Sequence, residues 1–240
     1  MKKQLPTRPY VILLRLSFSI ALAATLWSCE KENTAPIDHY AYYPLEIGSS
    51  QTYQVDETIY SAGQKDPVIK TWQEKDEVNR ITERTEFTTT YIVSRYQRNT
   101  PNDYWQKVKE FAITKSPDKL LTNLDNQTIV SLVFPVDPNL RWNGNLYNNQ
   151  DERKYRYESI HQPLTLGELS FDNSLTVVER RDSSFINKYV GVKKYALGVG
   201  LVSDEQINIE YCQDTDCIGD YIIESGSLKT RTILSYSDGK

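Results

Sequence analysis

The sequence predicts an all-β, mainly antiparallel protein built as a single curved sheet, a half-barrel or a sandwich, with one or two short helices. The 240-residue chain holds 17 Tyr and one Met, and it is rich in Thr, Val and Ile, which suit a pleated, half-buried surface. Apolar and polar residues alternate with a period of two in several segments. Turn-forming residues, among them Ala62-Gly63 and Asp137-Pro138-Asn139, separate these segments.

Nine segments have the composition or alternation of strands. In the first of them, Tyr53, Val55 and Ile59 lie on one parity and so on one face. Many short strands separated by turns favour the three architectures named above. The predicted strands cover residues 51–60, 68–73, 87–98, 105–113, 128–134, 155–160, 175–179, 201–211 and 221–236, and short helices are predicted at 119–124 and 185–195.

The N-terminus predicts export and lipidation. Basic residues precede an apolar run at 16–27, which is too short for a spanning helix of about 20 residues and fits a signal peptide. Leu26-Trp27-Ser28-Cys29 resembles a lipobox, and this implies cleavage before Cys29 and acylation of that cysteine. We therefore expect a signal peptide at 1–28, a polar tether at 29–39, and one β-rich domain at 40–240.

Charge and the first residues of the tether indicate the compartment. The chain has a formal charge of −4, and removal of residues 1–28 takes away four basic residues and no acidic one, which leaves −8. Such an acidic surface repels nucleic acid, so nucleic acid is not an expected partner. Glu30-Lys31-Glu32 resembles the export signal of some surface lipoproteins. The prediction is therefore an outer-membrane lipoprotein, on the cell surface or on the inner leaflet.

The three cysteines predict a disulfide. With Cys29 taken by lipid, Cys212 and Cys217 remain as an even pair in an oxidising compartment. Four polar residues, 213–216, lie between them, and strand-like runs lie on both sides. A hairpin stapled at its mouth is the expected arrangement.

Known catalytic and cofactor motifs are absent from the sequence. Gly198-Val199-Gly200 is followed by acidic residues rather than by a phosphate-binding helix, and Asp214-Thr215-Asp216 does not continue as a calcium loop. The two histidines are expected apart, His39 in the tether and His161 in a surface loop. We therefore predict no enzyme activity, no metal and no cofactor.

Tryptophan offers a candidate ligand surface. Trp72, Trp105 and Trp142 could form a platform on which a sugar ring stacks. Aromatic residues in β domains also serve as core and cross-strand packing. Both interpretations remain open from the sequence.

Three stretches resemble a known group of proteins. Pro44-Leu45-Glu46-Ile47-Gly48, Phe134-Pro135 followed by Trp142-Asn143-Gly144-Asn145, and the run 195–202 occur in this order. They resemble a group of uncharacterised bacterial cell-envelope lipoproteins. That resemblance implies antiparallel β structure with a curved sheet, and it supplies no activity to expect of this chain.

Three functions are consistent with these observations. The first is a non-catalytic binding or scaffolding domain, anchored to the membrane through Cys29 and serving an envelope protein. The second is a carrier for lipid or another apolar ligand, which requires a continuous apolar cavity. The third is a glycan-binding or hydrolytic accessory protein.

Overall fold

The computed structural model describes residues 36–239. Cys29, the predicted signal peptide and all but the end of the predicted tether lie outside these residues. One compact unit begins at Asp38. It contains a short 3-10 turn, η1, at His39–Tyr42, followed by twelve strands. The strands are β1 Ser50–Tyr60, β2 Val68–Arg84, β3 Thr89–Arg98, β4 Gln106–Lys115, β5 Lys119–Leu124, β6 Gln127–Val133, β7 Arg141–Asn143, β8 Lys154–Leu166, β9 Leu169–Ser183, β10 Asn187–Ala196, β11 Gly200–Tyr211 and β12 Ile223–Ser237.

All twelve strands form one antiparallel sheet. Its order is β6-β5-β4-β3-β2-β1-β12-β11-β10-β9-β8-β7. Consecutive strands therefore pair, except β6 with β7, and the first and last strands pair at the centre. The two edge strands, β6 and β7, follow each other in the chain. The sheet therefore curls until its two edges approach, which confirms the prediction of an all-β, curved antiparallel sheet.

Hydrogen bonds from the backbone and from two aromatic side chains close the seam between the two edges. The Val130 N–H donates to the Gly144 carbonyl at 2.9 Å, and the Trp142 indole donates to the Val130 carbonyl at 2.8 Å. The Tyr157 hydroxyl bonds both the N–H and the carbonyl of Val133, at 2.8 and 2.7 Å. An edge strand with unpaired backbone groups is a template for aggregation. Here the backbone groups of Val130 and Val133 on β6 are satisfied within the domain.

Strand prediction succeeds for nine of the twelve strands and fails for three. The segments predicted as helices at 119–124 and 185–195 are β5 and most of β10. Leu120, Leu121 and Leu124 have helix-like spacing, but pairing with β4 and β6 on both sides outweighs that local preference. Strand β7 has three residues, which is too short for a periodic pattern.

The turn η1 closes one end of the curved sheet, which we call the η1 end. Lys115 on β4 donates to the carbonyls of Tyr40 and Tyr43, at 2.7 and 2.9 Å. Gly198, between β10 and β11, donates its N–H to the Ala41 carbonyl at 2.8 Å. Because these contacts come from both halves of the sheet, η1 holds the halves together. The opposite end, which we call the far end, carries the β7–β8, β9–β10 and β11–β12 connections.

Two of the stretches that carry the family resemblance, 195–202 and Phe134-Pro135, contact residues that flank the first stretch at the η1 end. Gln51 donates its amide to the Val199 carbonyl at 3.1 Å, and the Tyr53 hydroxyl donates to the Leu201 carbonyl at 2.9 Å. The Tyr40 ring lies 4.9 Å from the ring of Phe134. These contacts give the motifs a structural role in closing the sheet. Within residues 36–239, no helix has the length and apolar character needed to cross a membrane.

Candidate functional site

Charged residues occupy the interior of the curved sheet, where a core is usually apolar. The centre of the first cluster is Asp76 on β2, whose side chain is buried. Arg95 on β3 makes two hydrogen bonds of 2.7 Å to the Asp76 carboxylate. Arg231 on β12 adds a third, at 2.9 Å. Asp76 therefore pairs with two guanidinium groups, one from the neighbouring strand β3 and one from β12, which lies beyond β1 in the sheet.

Glu74 completes this cluster. Its Oε2 lies 2.9 Å from Arg231 Nε, yet neither atom makes a hydrogen bond. The contact is thus an attraction between charges without hydrogen-bond alignment. The Arg231 guanidinium also lies 4.2 Å from the centre of the Tyr53 ring, an arrangement in which the aromatic face attracts the cation.

A second charged cluster lies on the neighbouring strands β9, β10 and β11. The Lys193 ammonium lies 2.5 Å from the Glu179 carboxylate. Gln206 donates its amide to Glu179 at 3.2 Å and to Asp204 at 2.8 Å. Direct opposition of Lys193 to Asp204, and of Asp204 to Arg231, in the sheet register places the two clusters side by side on one face.

Burial and neighbouring charges fix the protonation states of these groups. Burial raises the pKa of the Asp76 carboxyl, but Arg95 and Arg231 outweigh it and hold that pKa below its usual value. Burial lowers the pKa of the Lys193 ammonium, and the carboxylates of Glu179 and Asp204 outweigh it, so the pKa lies well above its usual value. Both groups are therefore charged at neutral pH.

A cavity of about 260 Å³ lies against the two clusters. Six charged side chains line it: Asp76, Arg95, Lys193, Asp204, Lys229 and Arg231. Tyr43, Phe111 and Tyr195 supply aromatic walls, and Thr122 and Ser131 supply hydroxyl groups. We call this space the interior cavity. Its mixed lining is typical of a site for a ligand that carries polar groups.

The interior cavity continues towards the far end of the sheet. A second space of about 340 Å³ shares Ile129, Lys193, Asp204 and Gln206 with it. Amide side chains are frequent in its lining: Gln127, Asn145, Asn148, Gln150 and Gln206. An outer cleft of about 430 Å³ then shares Asn145, Gln150, Arg153 and Glu179 with this second space. These shared residues define a polar route from the surface to the interior cavity.

The structure separates the three tryptophans that the sequence suggested as a platform. Trp72 is buried on β2, and its indole donates to Glu74 at 3.1 Å. Trp105 lies just before β4, with the Arg98 guanidinium 4.3 Å from its ring. Trp142 lies at the seam, 4.8 Å from the Tyr157 ring. They therefore lie on three different elements, each with packing partners of its own.

The two histidines come together, which the sequence analysis did not expect. His39 lies in η1 and accepts a hydrogen bond of 2.9 Å from the Val136 N–H. His161 lies on β8 with a φ of 55°, half-buried, and not in a surface loop. Its ring centre is 5.3 Å from that of His39, and its Nδ1 is 2.7 Å from the Tyr42 hydroxyl. Neither histidine lines the interior cavity.

Burial and neighbouring groups shift the pKa values of His161 and Tyr42. Burial, and secondarily His39, lowers the pKa of His161. Burial also raises the pKa of the Tyr42 hydroxyl to about 12, against a smaller opposing effect of the hydrogen bond with His161. A neutral His161 that is hydrogen-bonded to a neutral tyrosine fits a structural role in fastening η1.

Cys212 and Cys217 form a disulfide, as the sequence predicts, with a Cα–Cα distance of 5.9 Å. The expected position at a hairpin mouth is wrong in detail, because β11 ends at Tyr211 and β12 begins only at Ile223. The bridge therefore closes a turn inside a longer connection at the far end. Asp214 lies close to both sulfurs, but sulfurs that are bonded to each other are not thiolate ligands for a metal.

Sequence reasoning missed the charged residues of the interior cavity. A signal was available in β2, where Trp72, Glu74 and Asp76 share one parity. Acidic residues on the same face as a core tryptophan indicate that this face is not a purely apolar core. Their partners Arg95 and Arg231 lie 19 and 155 residues further along the chain, and only the sheet order brings them together.

Comparison with known proteins gives a likeness in structure only. No protein-family model matches the chain, and no curated protein matches its sequence. Among solved structures, the chain is similar to one described as a "putative lipoprotein" from Parabacteroides distasonis ATCC 8503, with a TM-score of 0.41 and 12% identity. The match covers 82% of this chain and 98% of that one.

Proposed function

We propose that this protein is a lipid-anchored envelope lipoprotein whose β domain binds a small polar ligand without catalysing its conversion. The observation that carries the proposal is the interior cavity, whose charged side chains come from β2, β3, β10, β11 and β12. Burying charges costs several kcal/mol per ion unless they are paired. Apolar side chains would fill this space at a lower free-energy cost, so the buried charges support a role in binding a ligand.

The lining also suggests the ligand chemistry. Within residues 36–239, the ion pairs engage Arg95, Arg231 and Lys193 but not Lys229. The Lys229 ammonium instead lies 5.0 Å from the Trp72 ring centre. A ligand carboxylate could pair with it, and ligand hydroxyls could bond the amides and hydroxyls of the route. A hydroxylated organic acid combines both features.

The same lining disfavours the two other functions considered. An acyl chain in this cavity would have to pack against the six charged side chains that line it, at a large desolvation cost. General acid–base catalysis is most effective when a group has a pKa near neutrality. The pKa of Asp76 is lowered and that of Lys193 is raised, so both lie away from neutrality. Neither histidine lines the interior cavity.

The sequence supports anchoring of the domain to a membrane. The proposed lipid on Cys29 attaches the domain to the outer membrane, and Glu30-Lys31-Glu32 favours the cell surface. Two or three acyl chains give stable attachment where one gives only reversible binding. The folded unit begins at Asp38 at the η1 end, whereas the polar route leads to the far end. The entrance thus lies away from the point at which the chain enters the domain.

Ligand-induced stabilisation tests the proposal. We expect glucuronate, as a hydroxylated acid, to raise the melting temperature more than glucose or octanoate do, because a ligand stabilises the state that it binds. Thr122→Trp should fill the interior cavity and abolish the effect. Asn123→Trp, on the next and exposed position of β5, is the matched control and should retain it. Stabilisation by octanoate alone, or an equal response in both variants, would contradict the proposal.

A further inference from the structure

An exposed apolar cluster lies at the far end of the sheet. Phe185 is 66% exposed, and its ring stacks at 6.3 Å on the ring of Tyr221, which is itself 52% exposed. Ile218, Ile222 and Ile186 are exposed beside them. We call these five residues the tip patch. Single exposed apolar residues are common on protein surfaces, but a contiguous group of this kind marks an interaction site.

The fold holds the tip patch in place. The Tyr211 N–H donates to the Ile186 carbonyl, and the Cys212 N–H donates to the Ile222 carbonyl, both at 2.8 Å. The disulfide from Cys212 to Cys217 restrains the residue next to Ile218. The edge of the Tyr211 ring meets the Tyr221 ring at 5.3 Å. A surface that is already ordered loses little conformational entropy on binding.

Acidic residues lie close to the tip patch in the chain. Asp214, Asp216, Asp220 and Glu224 are all exposed. The segment 212–224 contains these four acidic residues and no Lys or Arg, and the turn at 183–187 contains no charged residue before Lys188 on β10. An apolar centre with a rim of one charge sign selects partners by charge as well as by shape.

We infer that the tip patch docks a protein partner whose contact surface has an apolar centre ringed by Lys and Arg. A membrane is a poor occupant, because anionic lipid headgroups repel the acidic rim. A second copy of this chain is also disfavoured, since it would bring two acidic rims together. This inference does not depend on the ligand in the interior cavity.

Site-specific photocrosslinking in the cells that make the full-length protein tests the inference. A photoreactive phenylalanine analogue replaces Phe185 in one variant and Phe87 in the other. Phe87 is the matched control, because it is also 66% exposed but lies in the turn between β2 and β3. We expect a protein adduct at position 185 and none at 87, with the crosslinked peptide of the partner containing apolar residues flanked by Lys or Arg.

Binding of the purified partner then completes the test. Phe185→Ser should weaken binding at least tenfold, and Asp216→Lys should weaken it less. Added salt should also weaken binding of the wild type, because screening reduces attraction between exposed charges. Adducts only with lipid or with a second copy of the chain would overturn the inference. So would equal adduct yields at positions 185 and 87, or a partner whose affinity is unchanged by Phe185→Ser.

Discussion

Replacing Asp76 by Asn should destabilise the protein strongly, although it removes only one negative charge. The Asp76 carboxylate accepts three hydrogen bonds of 2.7–2.9 Å from Arg95 and Arg231, and its side chain is 9% exposed. Removing one partner of a buried ion pair costs about 3–5 kcal/mol, because the remaining charge stays buried without compensation. Domains are typically stable by only about 5–15 kcal/mol, so this loss is large.

Urea unfolding at pH 7, followed by tryptophan fluorescence, measures this loss. Asp182→Asn is the matched control, since Asp182 also pairs with an arginine, Arg180, at 2.6 Å but is 61% exposed. Exposed pairs contribute about 0–1 kcal/mol, so the control should lose little. Equal losses in the two variants would show that burial does not set the strength of the Asp76 cluster.

Acid titration adds a second readout of the same group. The folded-state pKa of Asp76 is lower than its unfolded value, which is about 3.9. Its contribution to stability is therefore complete above pH 3.9 and is lost as the pH falls through the folded pKa. The wild type should lose this part of its stability below about pH 4, and Asp76→Asn should lack that loss. Parallel acid profiles for the two proteins would contradict the assignment.

Four further predictions concern the seam, the η1 end, the disulfide and the anchor. Trp142→Phe should cost about 1–3 kcal/mol by leaving the buried Val130 carbonyl unpaired, while Trp105→Phe should cost less in the same unfolding experiment. Between pH 7 and pH 5 the melting temperature should fall. The folded pKa of His161 is below its unfolded value, so its contribution to stability is lost as the pH drops below about 6.5. His161→Gln should make that fall smaller. Reduction of the Cys212–Cys217 bridge should cost about 2 kcal/mol for so short a loop, and alkylation of the unreduced, unfolded protein should find neither thiol free. Intact mass of the membrane-extracted protein should show loss of residues 1–28 and added acyl mass, whereas Cys29→Ala should no longer sediment with membranes.

Local sequence patterns were sufficient to predict the strands whose neighbours agree with their own propensity. The alternation of Tyr53, Val55 and Ile59 predicts β1, and it is correct because β2 and β12 pair with β1 on both sides while Tyr53 and Val55 are buried. The spacing of Leu120, Leu121 and Leu124 predicts a helix and fails, because pairing with β4 and β6 stabilises an extended chain. Pairing with other strands, which decides such cases, is not visible in the pattern of a single segment.

The ion pairs of the candidate site could not be predicted either, because they also depend on which strands pair. Asp76 and Arg231 are 155 residues apart, and neither belongs to a motif with fixed spacing. Burial of charge becomes visible only when β1 and β12 pair and place Arg231 over the face that carries Glu74 and Asp76. Conversely, the disulfide was predictable, since its two cysteines are only five residues apart and the third was assigned to lipid.

Native mass spectrometry of the full-length protein, extracted gently from the cells that make it, tests the central claim most directly. We predict that the wild type and Asn123→Trp carry a small polar molecule that Thr122→Trp lacks, because Thr122 lines the interior cavity and Asn123 does not. The account would be contradicted if the retained species were an acyl lipid, or if the same species were bound equally by Thr122→Trp and Asn123→Trp.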